Sequence, residues 1–352
     1  YTNRVLLSDL ISPLTESDIK LTNNLRMNEI SPKAFIMAEY HGKKLDLDLI
    51  SQIDYNNYLY SGDLQTKKGI LSTNTTMIAK IHLTRLLRLD LYGTYNLSPT
   101  SEQNLYNGVI MNNYKYLTLG SDNIINSSSY YFVTTLSYKE PVSGFNSLAN
   151  GTYQFGETHL VDRYFIDDFI VNQYSDELAD FSQWSVNGKI EKSFYDIGSK
   201  VSISVNYSEM YSSINQNGIP YRYKNNVLAP KLEYNGNVTR WMNIIYTGKY
   251  NYNRYFIEDS IDEVPNHTLS QELKLAFYPH RKVEINVSGE HYYNLNGAGT
   301  EQQMILFDCS AWYFITNKLQ LFLHARNLLN EDTYSFTTIA PLETVHYKYN
   351  IR

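Results

Sequence analysis

The sequence predicts an all-β fold: an antiparallel transmembrane β-barrel with about 14–15 strands visible, where a plugged barrel has about 22. Three observations predict it. Apolar and polar residues alternate with a period of two, short basic turns alternate with long polar connections, and aromatic residues gather at strand ends.

Period-two alternation marks a strand whose two faces meet different surroundings. Leu45, Leu47 and Leu49 alternate with Asp46 and Asp48, and Leu87, Leu89 and Leu91 with Arg88 and Asp90. Val201, Ile203, Val205 and Tyr207 alternate with Ser202, Ser204, Asn206 and Ser208, and Val283, Ile285 and Val287 with Glu284, Asn286 and Ser288. Leu319, Leu321 and Leu323 repeat the pattern, although Phe322 breaks the polar side. No stretch of comparable length carries a helical stripe.

The turns come in two kinds. Short ones lie at His41–Lys44, Thr84–Arg85, Lys139–Pro141, Ile197–Lys200, Thr239–Trp241, Pro279–Lys282 and Thr316–Lys318. Long polar connections are expected over Ser61–Thr76, Pro99–Asn113, Ala149–Asp180, Ile214–Pro220, Glu258–Asn266 and Asn296–Thr300. A soluble sandwich has no reason to segregate turn length by side, whereas a membrane barrel has short periplasmic turns and long extracellular loops. Lys200, Trp241, Lys282 and Lys318 follow one another at 41, 41 and 36 residues, room for two spanning strands with their loops. Propeller blades give a similar period, but they hold four short strands each, and Gly/His/Trp-Asp signatures are missing here.

Aromatics cluster at Tyr55/Tyr58/Tyr60, Tyr130–Phe132, Phe194–Tyr195, Tyr250–Phe256, Phe277–Tyr278, Tyr292–Tyr293 and Trp312–Phe314. Two girdles at the membrane boundaries would place them so. Plain β-propensity enriches the same residues without favouring strand ends.

Composition fits and excludes. The chain has 352 residues, 43% hydrophobic, yet 33 of them are Tyr and the mean hydropathy is −0.40. The single Cys309 permits neither an internal disulfide nor a cysteine zinc site. A net charge of −6 argues against nucleic acid as a partner. The aromatic content argues against disorder. Asn-x-Ser/Thr sequons at Asn74, Asn150, Asn237 and Asn286 are expected by chance in a chain so rich in those residues, and Asn286 falls mid-strand.

The segment Phe307–Arg352 is the most specific. A strand ending Trp312-Tyr313-Phe314-Ile315 leads through a short turn to Leu319–Arg326, then to Asn327-Leu328-Leu329-Asn330-Glu331-Asp332-Thr333-Tyr334. This resembles the last hairpins of TonB-dependent outer-membrane receptors, where Asn-Leu-(Leu/Phe)-Asn-x-x-Tyr precedes the final loop; here one extra residue precedes Tyr334. Tyr347–Arg352 resembles the start of the closing strand, and the Tyr- and Asn-rich strands resemble barrels of Bacteroidetes-type bacteria. The motif covers roughly the last 45 residues. The resemblance implies a structural role for Asn327, Leu328, Leu329, Asn330 and Tyr334, and a location in the bacterial outer membrane with the lipid bilayer as partner. It also implies nutrient import driven through TonB, by way of a plug and TonB box that are not visible in this sequence. The chain would then be about two-thirds of a barrel. A barrel that holds a surface lipoprotein and transports nothing is the alternative, and a soluble binding propeller a third.

No cofactor, metal or catalytic set is expected. The eight histidines are dispersed without zinc spacing, although His291 and His324 could meet across strands. Glu157, Asp162, Asp167, Asp168, Asp176, Glu177 and Asp180 against the single Arg163 read as a solvated acidic loop; a hard cation is the sharper alternative.

Overall fold

The structure, a computed structural model, describes residues 2–9, 22–62, 66–99, 109–111, 116–120, 124–166, 169–257, 264–295, 301–316, 318–340 and 343–350. It is all-β. The strands are β1 (Thr2–Asp9), β2 (Thr22–Ile30), β3 (Lys33–His41), β4 (Leu45–Gly62), β5 (Thr66–His82) and β6 (Leu87–Pro99). Then come β7 (Val109–Met111), β8 (Tyr116–Leu119), β9 (Asn126–Glu140), β10 (Phe145–Ile166), β11 (Phe169–Phe194), β12 (Ser199–Gln216) and β13 (Ile219–Thr239). The rest are β14 (Met242–Ile257), β15 (Val264–His280), β16 (Val283–Leu295), β17 (Glu301–Thr316), β18 (Leu319–Ala325), β19 (Thr333–Ala340) and β20 (Glu343–Asn350). Among the described residues no helix is long and apolar enough to cross a membrane, which leaves crossing by strands untouched.

The sheet is an antiparallel meander. β1 pairs with β2, β2 and β3 both pair with β4, and the ladder runs on through β5, β6 and β9 to β18. β2 and β3 are one strand interrupted at Ser31-Pro32. Ile30 faces Asn57 and Lys33 faces Asp54, so the register is unbroken. Pro32 has no N–H to give the ladder, but its carbonyl accepts from the Tyr55 N–H at 3.1 Å. Of the 18 strands in the main sheet, β2 and β3 count as one and β7 and β8 belong to the connection after β6, leaving 15 in the meander among the described residues. β19 and β20 form a separate hairpin.

The seven expected short turns all join consecutive strands at the same end of the meander. They are tied down by backbone bonds: Gly42 N–H to Leu45 C=O at 2.9 Å, Thr84 N–H to Leu87 C=O at 3.1 Å, and Tyr278 N–H to Trp241 C=O at 2.7 Å. The other end differs from expectation. Ala149–Asp180 is not a loop: β10 and β11 run 22 and 26 residues and pair from Phe145↔Lys192 to Ile166↔Phe169. Ile214–Pro220 is a tight hairpin tip, with Asn217 at φ 52° and Gly218 at φ 80°, the left-handed pair that two-residue hairpins require. Ser61–Thr76 likewise falls mostly inside β4 and β5.

Residues directly opposite one another in a ladder point to the same face. One row therefore fixes a face across eleven strands: Leu47–Ala79–Leu91–Thr134–Gly151–Val186–Tyr207–Leu228–Tyr252–His267–Leu295. Every alternating apolar set read from the sequence lies on it, including Val201, Ile203 and Val205 and, through Ile285↔Ala311↔Leu323, the β18 leucines. Phe322, on the other face, packs against Trp312 in a tilted pair with ring centroids 4.0 Å apart.

The apolar face is the exposed one. Ile203 is 52% accessible and Ile190 54%, while Ser202 and Ser137 on the polar face are 5% and 7% accessible. On a curved sheet, side chains spread apart on the convex side and crowd on the concave side; the apolar face is thus convex and the polar face concave. Ile50, Leu148 and Ile245 stand on the polar face and are also exposed, so the match is not complete. A conventional core is nearly missing among the described residues: one apolar cluster, Met27, Tyr58, Tyr60, Ile70 and Ile124, sits where the connection after β6 meets β2, β4 and β5. Tyr58, only 1% accessible, therefore belongs to packing on the concave side and not to a girdle.

Candidate functional site

The concave face carries the charge. In β12–β16, the row Ser202–Glu233–Thr247–Glu272–Glu290 lies beside the row Ser204–Lys231–Lys249–Ser270–Tyr292. Lys231 pairs with Glu233 and Lys274 with Glu272. Further along, Glu191 sits between Lys200 at 2.8 Å and Lys189 at 3.2 Å, and Arg88 meets Asp90 at 2.8 Å. Asn150 donates to Thr135 at 2.8 Å, and the Thr152 and Ser185 hydroxyls lie 2.6 Å apart. Such a surface suits a wet lumen, where each ion pair is worth little and polar solutes find partners everywhere.

The Asn327–Asn330 motif is a turn built by side chains. Asn327 stands at φ 48° and Asn330 at φ 55°. The Asn327 side chain accepts from the Glu331 N–H at 2.9 Å and donates to the Glu331 carbonyl at 2.8 Å, closing the loop on both sides. Its own N–H donates to Asp308 at 2.7 Å, and the Leu328 N–H donates to the Phe307 carbonyl at 2.8 Å. Asn tolerates left-handed backbone and bonds nearby main chain, which is why it serves at both positions. Leu328 and Leu329 are exposed. Tyr334 pairs with Tyr349 in the β19–β20 hairpin; its side chain lies outside the described residues.

His291 and His324 do not meet. They lie two strands apart and on opposite faces: His291 opposes Ile305 on the convex side, whereas His324 opposes Ser310 on the concave side. The acidic segment is spread along β10 and β11, where Glu157 accepts from the Ser128 hydroxyl at 3.0 Å and Asp162 from Asn215 at 2.6 Å. No group of three potential metal ligands occurs among the described residues. The side chains of Asp167, Asp168 and Asp176 lie outside them. Asn286 is mid-strand in β16, bonded to Glu284 at 2.9 Å.

The feature that sequence reasoning missed is a fork at the long-connection end. Lower down, β11 lies between β10 and β12. Higher up, Asp162–Arg163 of β10 pair in parallel with Asn215–Gln216 of β12, and Ile170–Gln173 of β11 pair with β8. The β10–β11 hairpin has turned over in between, where its register slips at His159/Val161. β11 leaves β12 after Ser182↔Tyr211, and a cleft of about 1160 Å³ opens there. Its floor is a convex row, Tyr130–Phe155–Ser182–Tyr211–Lys224–Phe256.

This floor continues an aromatic band. Tyr95, Tyr130 and Phe155 adjoin across three strands, the first pair tilted with centroids 4.9 Å apart and the second stacked at 4.8 Å, and the ring centroids of Trp184 and Tyr207 are 5.1 Å apart. Glu209 stands just beyond the apolar positions of β12, where it accepts from the Tyr211 hydroxyl at 2.6 Å and meets Lys224 at 2.9 Å. Lys224 also lies 5.1 Å over the Tyr211 ring.

No protein-family model matches this chain, and no curated protein does.

Proposed function

We propose that this chain is the barrel of an outer-membrane transporter, with its convex face in lipid and its concave face lining a polar lumen. The observation that carries the reading is the inverted exposure: Ile203 outward and accessible, Ser202 inward and covered. In water a continuous apolar face of this extent is an aggregation hazard. In hydrocarbon it is the required surface, and a closed ladder is the one β arrangement that leaves no backbone group unpaired. From Val201 to Tyr207 the apolar convex side of β12 runs six residues, roughly 20 Å along the strand, or about 15 Å of height at a tilt near 40°, and Glu209 and Tyr211 follow at its edge.

The transport part rests on the resemblance of Asn327–Asn330 and Tyr334 to TonB-dependent receptors. In that reading a plug fills the lumen and TonB releases it. A plug and TonB box encoded in the same gene would support import, and their replacement by unrelated sequence would favour a lipoprotein-holding barrel.

The membrane part is tested at one pair of neighbours. Ile285→Arg should abolish insertion and heat-modifiable gel migration, whereas Asn286→Arg, on the concave side, should retain both. Equal tolerance of the two would refute the facing.

A further inference from the structure

We infer that the cleft at the β10–β11 fork holds the saccharide headgroup of a glycolipid whose acyl chains lie against the convex apolar face. The inference rests on the membrane reading above and goes beyond it, because the site lies on the outside of the barrel and not on the transport path. Three observations place it. The cleft floor is the convex row from Tyr130 to Phe256, so the cleft opens on the side of the apolar face. It lies one polar step beyond the last apolar positions: below Tyr211 come Glu209, then Tyr207, Val205 and Ile203, and below Lys224 come Asn226, then Leu228. It is also at the end of the sheet where β10 and β11 extend and the long connection after β6 lies, the outer-leaflet side of a barrel.

The lining has the chemistry of a sugar site. Phe155, Tyr211 and Phe256 line the cleft with aromatic rings, the side-chain type that stacks on the C–H side of a pyranose; Tyr130, Lys224 and Arg254 already lie over one face of each in turn. Glu157 and Asp180 accept from hydroxyls on one wall, and Arg222 and Lys224 donate on the other. A plain phospholipid headgroup uses the charges and leaves the rings unused. A free sugar uses the cleft and leaves the adjoining apolar face bare. A glycolipid uses both.

The test extracts the protein from vesicles of rough lipopolysaccharide and phosphatidylethanolamine in mild detergent and counts retained lipids by native mass spectrometry. Retention of about one lipopolysaccharide per chain over phosphatidylethanolamine is expected, falling about ten-fold in Tyr211→Ala. Asp180→Asn, which keeps the shape of the cleft, should lower retention in the same direction while heat-modifiable migration is unchanged. Equal retention of phosphatidylethanolamine overturns the inference, as does retention unaffected by both substitutions. So does competition by the free core oligosaccharide as strong as by the intact glycolipid, since the acyl chains would then contribute nothing. Wild-type protein that inserts and migrates as a barrel but retains no lipopolysaccharide sinks this inference alone; wild-type protein that never inserts sinks the barrel reading with it.

Discussion

Ser202 and Ile203 are consecutive in β12, yet the serine is 5% accessible and the isoleucine 52%. The same inversion links Ser137 to Leu136 on β9, at 7% and 39%. A protein folded by burying apolar surface in its own interior would show the reverse.

Substitution at this position separates the two solvents. Ile203→Arg at an exposed site in water should change stability by no more than about 0.5 kcal/mol. In a bilayer the same change should cost about 2–4 kcal/mol near the midplane. Urea unfolding in lipid vesicles against unfolding in detergent measures the difference, and a near-neutral result in vesicles would contradict lipid exposure.

Cys309 provides a probe without any mutation. It is the chain's one cysteine and stands on the convex face, opposite Val287 and Ala325. In intact membranes it should react with an apolar maleimide and resist a charged one. Fast labelling by both would place it in water.

The Asn327 turn should depend on the side chain's two bonds to Glu331. Asn327→Ala removes both and leaves a left-handed non-glycine residue, for a loss of about 1–2 kcal/mol. Asn327→Gly, which relieves the backbone, should recover part of it. Thermal melts of the three proteins give the order wild type, Gly, Ala.

Gly156 marks a close approach beside the fork. A Cβ there would stand 2.2 Å from the Ser128 carbonyl oxygen and 2.7 Å from the Ser129 Cα, both backbone. Gly156→Ala should therefore part β9 from β10 locally at a cost of about 1–3 kcal/mol. Faster proteolysis within the upper β10–β11 hairpin is the expected readout, with the lower meander unaffected.

The ion pairs of the concave face should matter little one at a time. Glu191→Gln, which loses contact with Lys189 and Lys200, should cost less than about 1 kcal/mol and lose that effect at high salt. A larger, salt-independent loss would mean that this face is dry.

Much of the fold was legible in the sequence because strands between two different solvents must alternate. Leu45–Leu49, Leu87–Leu91, Val201–Tyr207 and Val283–Val287 all register on one face, and the seven short turns fall at one end. Phe322, the break in the β18 pattern, packs against Trp312 across the ladder. The upper β10–β11 hairpin was not legible, because Leu160–Ile166 and Phe169–Asp180 carry no period-two alternation to mark them as strands. Nor was the burial of Tyr58 and Tyr60, since nothing local says that Ile124 from a distant connection will cover them.

By itself, then, the sequence determined that this chain is all-β, where its seven short turns lie, and which residues of the alternating strands share a face. Those are local properties, set by side-chain period and turn chemistry. Only the tertiary structure decided that the apolar face is the convex one, that β10 and β11 exchange places above Ser182, and that a cleft opens where they part. Curvature and the order of strands are properties of the whole ladder, and no single segment encodes them.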